Sequence, residues 1–216
     1  MGEQKKPLVT TVELTTVSIL GAVASMLFFW SFSVVPGVPF YKMDFSNIPV
    51  LLGTFAMGPL AGVLILAVKS LSGLLHSTSM YVGELADFLI GLGMVIPAGL
   101  MYRRQKTRKG AIAGMVIGTV LATLVAAATN IYIMIPFFSA AYGMPIQQIV
   151  NMGKGFIPSI SSLAEFVLYI TTPFNLLKWS VLSVIGALLY KPLSPVLHGR
   201  VRGMRRSGAT LEDQRK

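Results

Sequence analysis

IPVLLGTFAMGPLAGVLILAVKSLSGLL, residues 48–75, decides how often this chain crosses a membrane. The run is longer than the ~20 apolar residues that one span needs. Gly58-Pro59 interrupts it. Proline donates no N–H and disfavours helix at the residue before it. Splitting there predicts a short second span, about 48–57, and a third, about 60–75. Left whole, the run gives five crossings and puts the termini on opposite sides; split, it gives six and puts them on the same side.

Charge placement favours the split. The 216 residues carry a formal net charge of +10. Most Lys and Arg fall at the N-terminus (Lys5, Lys6), in one loop (Arg103, Arg104, Lys106, Arg108, Lys109) and in the tail from Lys191 onward. That clustering at three places follows the positive-inside rule and makes all three cytoplasmic. It also argues against nucleic acid as the partner of so basic a chain. The chain is 54% hydrophobic and 12% charged, with mean hydropathy +0.71, against ~25% charged for a soluble domain. The apolar runs do not alternate with polar residues, which argues against a transmembrane β-barrel. LGAVAS (20–25) contains an A-x-A pattern, but apolar sequence continues through Trp30, so the first segment reads as an uncleaved span.

The chain therefore reads as an all-α, polytopic membrane protein with six transmembrane helices and both termini cytoplasmic. Residues 1–11 form a cytoplasmic N-terminus, 12–191 the membrane domain and 192–216 a basic cytoplasmic tail. The remaining spans are predicted at about 12–30, 83–101, 110–136 and 166–190, with outer loops around 31–46, 73–84 and 137–160.

Much chemistry is missing. With no cysteine, thiol catalysis and cysteine-ligated metals are excluded. Gly153-Lys154-Gly155 is not a Walker A loop, so ATP hydrolysis by this chain is not expected. His76 and His198 have no metal-ligand spacing with carboxylates, and neither HExxH nor GxSxG occurs. Nothing marks the chain as an enzyme, and no resident cofactor or metal is expected.

What stands out is a set of polar residues inside apolar spans: Lys69, Glu84, Asp87, Asn130, Asn175 and Lys178. A lysine near the bilayer centre costs roughly 2.5–3.5 kcal/mol on insertion scales, and such residues usually face the bundle interior. The alternative role is helix–helix hydrogen bonding. On that reading Lys69 pairs with Glu84 or Asp87. Asn175 and Lys178 share a helix face, and Asn130 lies near the outer end of its span. Two amides and an ammonium in an apolar pocket suit a flat heterocycle rimmed with carbonyls and an N–H. Isoalloxazine, thiamin-type rings and pterins all fit that description.

Four segments carry a resemblance: YKMDFSNIPVLLGTFAMGPLAGV (41–63), YVGELADFLIG (81–91), YRRQKTRKGAIAG (102–114) and TTPFNLLKWSVLS (171–183). Together they resemble the riboflavin-specific substrate-binding subunit (S component) of energy-coupling-factor (ECF) vitamin transporters, from about residue 12 to 195. The resemblance implies a multi-pass protein of the bacterial plasma membrane. It implies high-affinity riboflavin binding near the outer face and two kinds of protein partner, a transmembrane coupling subunit and two cytoplasmic ATPases. ATP used by those partners would topple the subunit and release riboflavin, the transported substrate, inside. The resemblance assigns Asn130, Asn175 and Lys178 to the pyrimidine edge of the isoalloxazine ring. It assigns Lys42, Met43, Asp44 and Phe45 to the pocket wall or lid, and Glu84 joins the pocket from the start of the fourth span. Asn47 stands where the family often has Asp. The family docks its coupling subunit through an A-x-x-x-A pair in the first span; here the nearest pairs are Ser18/Ala22 and Gly21/Ser25. The alternatives are an S component for thiamin or a pterin-like vitamin, or a proton-coupled secondary transporter using Glu84, Asp87 or Lys178. The second is disfavoured by the lack of an internal repeat.

Overall fold

The computed structural model describes residues 11–34 and 41–189. The basic N-terminal segment with Lys5 and Lys6 and the tail 192–216 lie outside the described residues. Helix α1 is Thr11–Phe29, α2 Asn47–Met57, α3 Pro59–Leu74 and α4 Val82–Arg104. Then come α5 (Arg108–Tyr142), the short α6 (Ile146–Gly153) and α7 (Leu163–Leu189). Helices α1, α4, α5 and α7 are long and apolar enough to cross a membrane.

The break at 58–59 is real and has two causes. Gly58 adopts φ +106°, a conformation that L side chains avoid, and Pro59 opens α3 where its missing N–H costs nothing. With 11 residues, α2 rises only about 16 Å, half of a ~30 Å hydrocarbon core. Its whole length from Asn47 to Phe55 is nevertheless buried, so it packs as a short helix inside the bundle.

Three other expectations change. The all-α reading gains a small antiparallel pair, β1 (Phe32–Ser33) with β2 (Lys42–Met43), in the register Phe32↔Met43 and Ser33↔Lys42. Helix α5 does not stop near Pro136 but continues to Tyr142, through a π turn at Asn130–Met134. The outer loop expected over 137–160 is thus partly helical, holding the end of α5 and all of α6.

Helices α4 and α5 pack closely because glycine permits it. A Cβ on Gly118 would sit 2.8 Å from the carbonyl oxygen of Met94. Among the described residues, three buried apolar clusters fill the bundle. One surrounds Tyr41, Phe138, Ile149 and Phe166; a second surrounds Phe55, Tyr102 and Trp179; a third joins α1, α2, α3 and α4 through Val17, Val50, Ile65 and Val95. Several members of the first line the cavity described next.

Candidate functional site

A cavity of about 780 Å³ opens among the β1–β2 segment and helices α1, α3, α4, α5, α6 and α7. That is within the ~300–1,000 Å³ range of small-molecule sites. Aromatic rings wall it: Phe28 and Phe29 from α1, Phe138 from α5, Phe174 from α7, and Tyr41, which stacks on Phe174 with ring centroids 5.1 Å apart.

Two π turns shape its polar edge. Asn130–Met134 and Val167–Thr171 each end two residues before a proline, Pro136 and Pro173. A helical proline removes one N–H and crowds the carbonyl four residues back; widening the preceding turn relieves that crowding. The helices thereby stay continuous while Asn130 and Asn175 turn inward. Each asparagine donates its amide N–H to the carbonyl four residues earlier, Asn130 to Ala126 and Asn175 to Thr171, both at 2.9 Å. Those bonds fix the rotamers and leave the amide oxygens as acceptors. Tyr41 donates its hydroxyl to Asn130 Oδ1 at 3.1 Å and bonds Thr171 Oγ1 as well. Tyr41 thus links both π turns to the segment that leads into β2. Among the described residues, Asn175 Oδ1 has no hydrogen-bond partner.

Lys178 lies one turn beyond Asn175 and also lines the cavity. Its ammonium sits 3.0 Å from Asp44 Oδ2, 3.9 Å from Asp87 Oδ1, and donates to the Lys42 carbonyl at 3.4 Å. Asp87 in turn pairs with Lys69 at 2.5 Å, and Lys69 donates to Asn47 Oδ1 at 2.9 Å. Lys69 is completely buried, so these partners are what make its charge tolerable there. Two ammonium and two carboxylate groups make the cluster neutral, and with Asn rather than Asp at position 47 it remains so. Burial pushes the Asp44 carboxyl up, but the Lys178 and Lys69 ammonium groups and the Ser46 hydroxyl outweigh it and hold it at about 2.

Asp87, not Glu84, is therefore the partner of Lys69. Glu84 accepts from the hydroxyls of Ser77 at 2.8 Å and Ser79 at 2.9 Å, at another rim of the cavity. Lys42 reaches Thr78 Oγ1 at 3.2 Å on the same rim. The loop there carries two non-glycine residues with positive φ, Met80 and Tyr81, and the Tyr81 N–H is held by Ser77 Oγ at 2.9 Å. His76 lines the cavity and meets the Phe29 ring edge-on at 5.1 Å.

Of the residues singled out in the sequence, Lys42, Asp44, Glu84, Asp87, Asn130, Asn175 and Lys178 line one cavity. Met43 and Phe45 do not; Phe45 points outward against Phe32 at 6.5 Å. Alternation along an extended segment explains this, because it turns Lys42 and Asp44 to one side and their neighbours to the other. Sequence reasoning passed over Tyr41, Thr171 and Phe174. Tyr41 sits beside the quoted KMDF motif, and Thr171 lies one turn before Asn175, which was the available signal.

On α1 the two small-residue pairs face opposite ways. Gly21 and Ser25 are buried, with a Cβ on Gly21 falling 2.7 Å from Val68. Ser18 and Ala22 are exposed.

Residues 12–190 match the family described as ECF transporter, substrate-specific component. The riboflavin transporter RibU of Staphylococcus aureus (strain TCH60) is 32% identical to this chain, over 91% of it and 97% of RibU. The riboflavin transporter FmnP of Bacillus subtilis (strain 168) is 28% identical, over 85% of this chain and 92% of FmnP. A solved structure described as "Structure and mechanism of the S component of a bacterial ECF transporter" superposes with TM-score 0.67 at 31% identity, covering 86% of this chain and 96% of that one. ThiT from Listeria monocytogenes superposes with TM-score 0.60 at 16% identity, covering 87% of this chain and 97% of that one, a likeness of fold alone.

Proposed function

The chain belongs to the family of ECF transporter substrate-specific components, and on that premise we propose that it binds riboflavin with high affinity for uptake by an ATP-driven importer. The observation that carries the reading is the cavity itself. Aromatic walls meet a polar edge made of Asn130, Asn175 and Lys178, in a chain whose relatives RibU and FmnP are named riboflavin transporters. The isoalloxazine ring lies between the aromatic walls with its pyrimidine edge toward those three side chains. Asn175 Oδ1 accepts from the ring N3–H, and Lys178 donates to a ring carbonyl. The ribityl hydroxyls face the rim of Lys42, Thr78, Ser77, Ser79 and Glu84. The segment through Lys42 and Asp44 closes over the ligand.

The chain lies in the bacterial plasma membrane with six membrane-embedded helices, α2 being the short one, and with both termini in the cytoplasm. It works with a transmembrane coupling subunit and two cytoplasmic ATPases. The exposed Ser18/Ala22 pair of α1 offers the close-approach surface for the coupling subunit, since Gly21/Ser25 is taken by contact with α3. A proton-coupled mechanism finds little support, because Asp87 and Lys178 are engaged in ion pairs.

Titration of riboflavin fluorescence against the purified protein tests the ligand. Saturable quenching that thiamin does not compete away is expected. Folded protein that gives no saturable quenching at micromolar riboflavin would sink the reading. Vesicle uptake that needs the ATPase partners and resists an uncoupler tests the coupling.

A further inference from the structure

A second concavity, of about 770 Å³, lies between α5 and α7 on the side of the bundle toward the 103–109 loop. Small residues create it: Ala111 on α5, and Ser180, Ser183 and Ala187 on α7. Its rims, Val116, Val120, Val184 and Leu188, are exposed. The polar groups within it are few. Thr119 and Ser183 hydrogen-bond each other at 3.2 Å, which leaves a surface suited to methylene groups. From Arg108 to Val120 the groove follows α5 for about 18 Å, close to the ~15 Å hydrocarbon depth of one leaflet.

The end of this groove is charged. Arg108 lines it, fixed at the first turn of α5 by Thr107, whose hydroxyl accepts from the Gly110 N–H at 3.1 Å. Arg103, Arg104, Lys106 and Lys109 are exposed beside it in sequence. Among the described residues, none of these five cations pairs with a carboxylate. An apolar slot one leaflet deep, ending in uncompensated cations, complements one class of molecule in both halves. We propose that this groove holds an acyl chain of an anionic phospholipid whose phosphate sits on Arg108. Basic pockets between membrane helices bind lipid headgroups by this chemistry. The neutral cavity at the other end of α7 has no part in it.

Native mass spectrometry of the delipidated full-length protein tests this, with phosphatidylglycerol and phosphatidylcholine of identical chains as probes. One phosphatidylglycerol is expected to be retained in preference to phosphatidylcholine. Arg108→Gln weakens it about fivefold, the effect of one cation near a headgroup. Arg103→Gln, an equal change of charge off the groove, does less. Ala187→Leu fills the slot and abolishes preferential retention with the melting temperature unchanged; if that variant fails to fold, Val184→Phe at the exposed rim serves instead. Equal retention of both lipids, equal effects of the two arginine changes, or full retention in a folded groove-filled variant overturns the proposal. No retention by the full chain also overturns it and assigns the groove to residues 190–216 or to another protein surface. Riboflavin titration of the same variants is a separate readout, so failure of one reading leaves the other standing.

Discussion

Helices α5 and α7 carry the same local device with different outcomes. Each has a π turn two residues before a proline, and each has an asparagine donating to the carbonyl one turn back. In α5 the amide oxygen of Asn130 is occupied by the Tyr41 hydroxyl. In α7 the amide oxygen of Asn175 has no partner among the described residues, and Lys178 stands one turn further along the same face. The contrast separates two jobs that identical residue types can do. Asn130 ties the β1–β2 segment to the bundle through Tyr41, whereas Asn175 keeps an acceptor available for a ligand.

The most damaging change should be Lys178→Met. It removes the ammonium from the cavity and leaves Asp44 buried without its nearest cation. Losing one partner of a buried pair costs roughly 3–5 kcal/mol of stability, and loss of the charged donor lowers riboflavin affinity about ten- to a hundredfold. Adding Asp44→Asn should restore the melting temperature but not the affinity. If it restores both, Lys178 serves the fold alone.

Asn175→Ala should lower affinity about tenfold, the upper range for one neutral hydrogen bond, with little change in thermal melting. Asn130→Ala should show the reverse balance. It removes one of the hydrogen bonds of the buried Tyr41 hydroxyl, which keeps Thr171, at roughly 0.5–1.5 kcal/mol of stability, and weakens riboflavin binding by less than Asn175→Ala does. Indistinguishable profiles for the two alanine variants would break the comparison. The smallest effect concerns pH. With its pKa lowered from 3.8 to about 2, Asp44 contributes its full stabilisation above pH 3.8 and loses it as pH falls through about 2. Riboflavin titrations between about pH 5 and 8 should therefore show no step from this group. A step there would mean that Asp44 is not held by Lys178.

The helical membrane class, the break at Gly58-Pro59 and the polar set on α4, α5 and α7 were all legible in the sequence. Each depends on local rules: span length, the missing N–H of proline, and the cost of a polar group in hydrocarbon. Partner choice was not legible. Lys69 had two carboxylates within plausible reach along the chain, Glu84 and Asp87, and only packing sends Asp87 to it and Glu84 to the serine loop. The same holds on α1, where Ser18/Ala22 and Gly21/Ser25 are equivalent as patterns. The neighbouring α3 buries one pair and leaves the other exposed.

The sequence by itself determined that this chain lives in a membrane, that its run at 48–75 must break, and that Asn175 and Lys178 share a helix face. Those outcomes follow from hydrophobicity, backbone chemistry and helical periodicity, which act within a few turns. Only the tertiary structure decided that Tyr41 joins both π turns, that Asp44 crosses to Lys178, and that seven of the polar candidates line one cavity. Those contacts span up to 134 residues of chain, and no local pattern encodes which of several compatible charges will meet once helices pack.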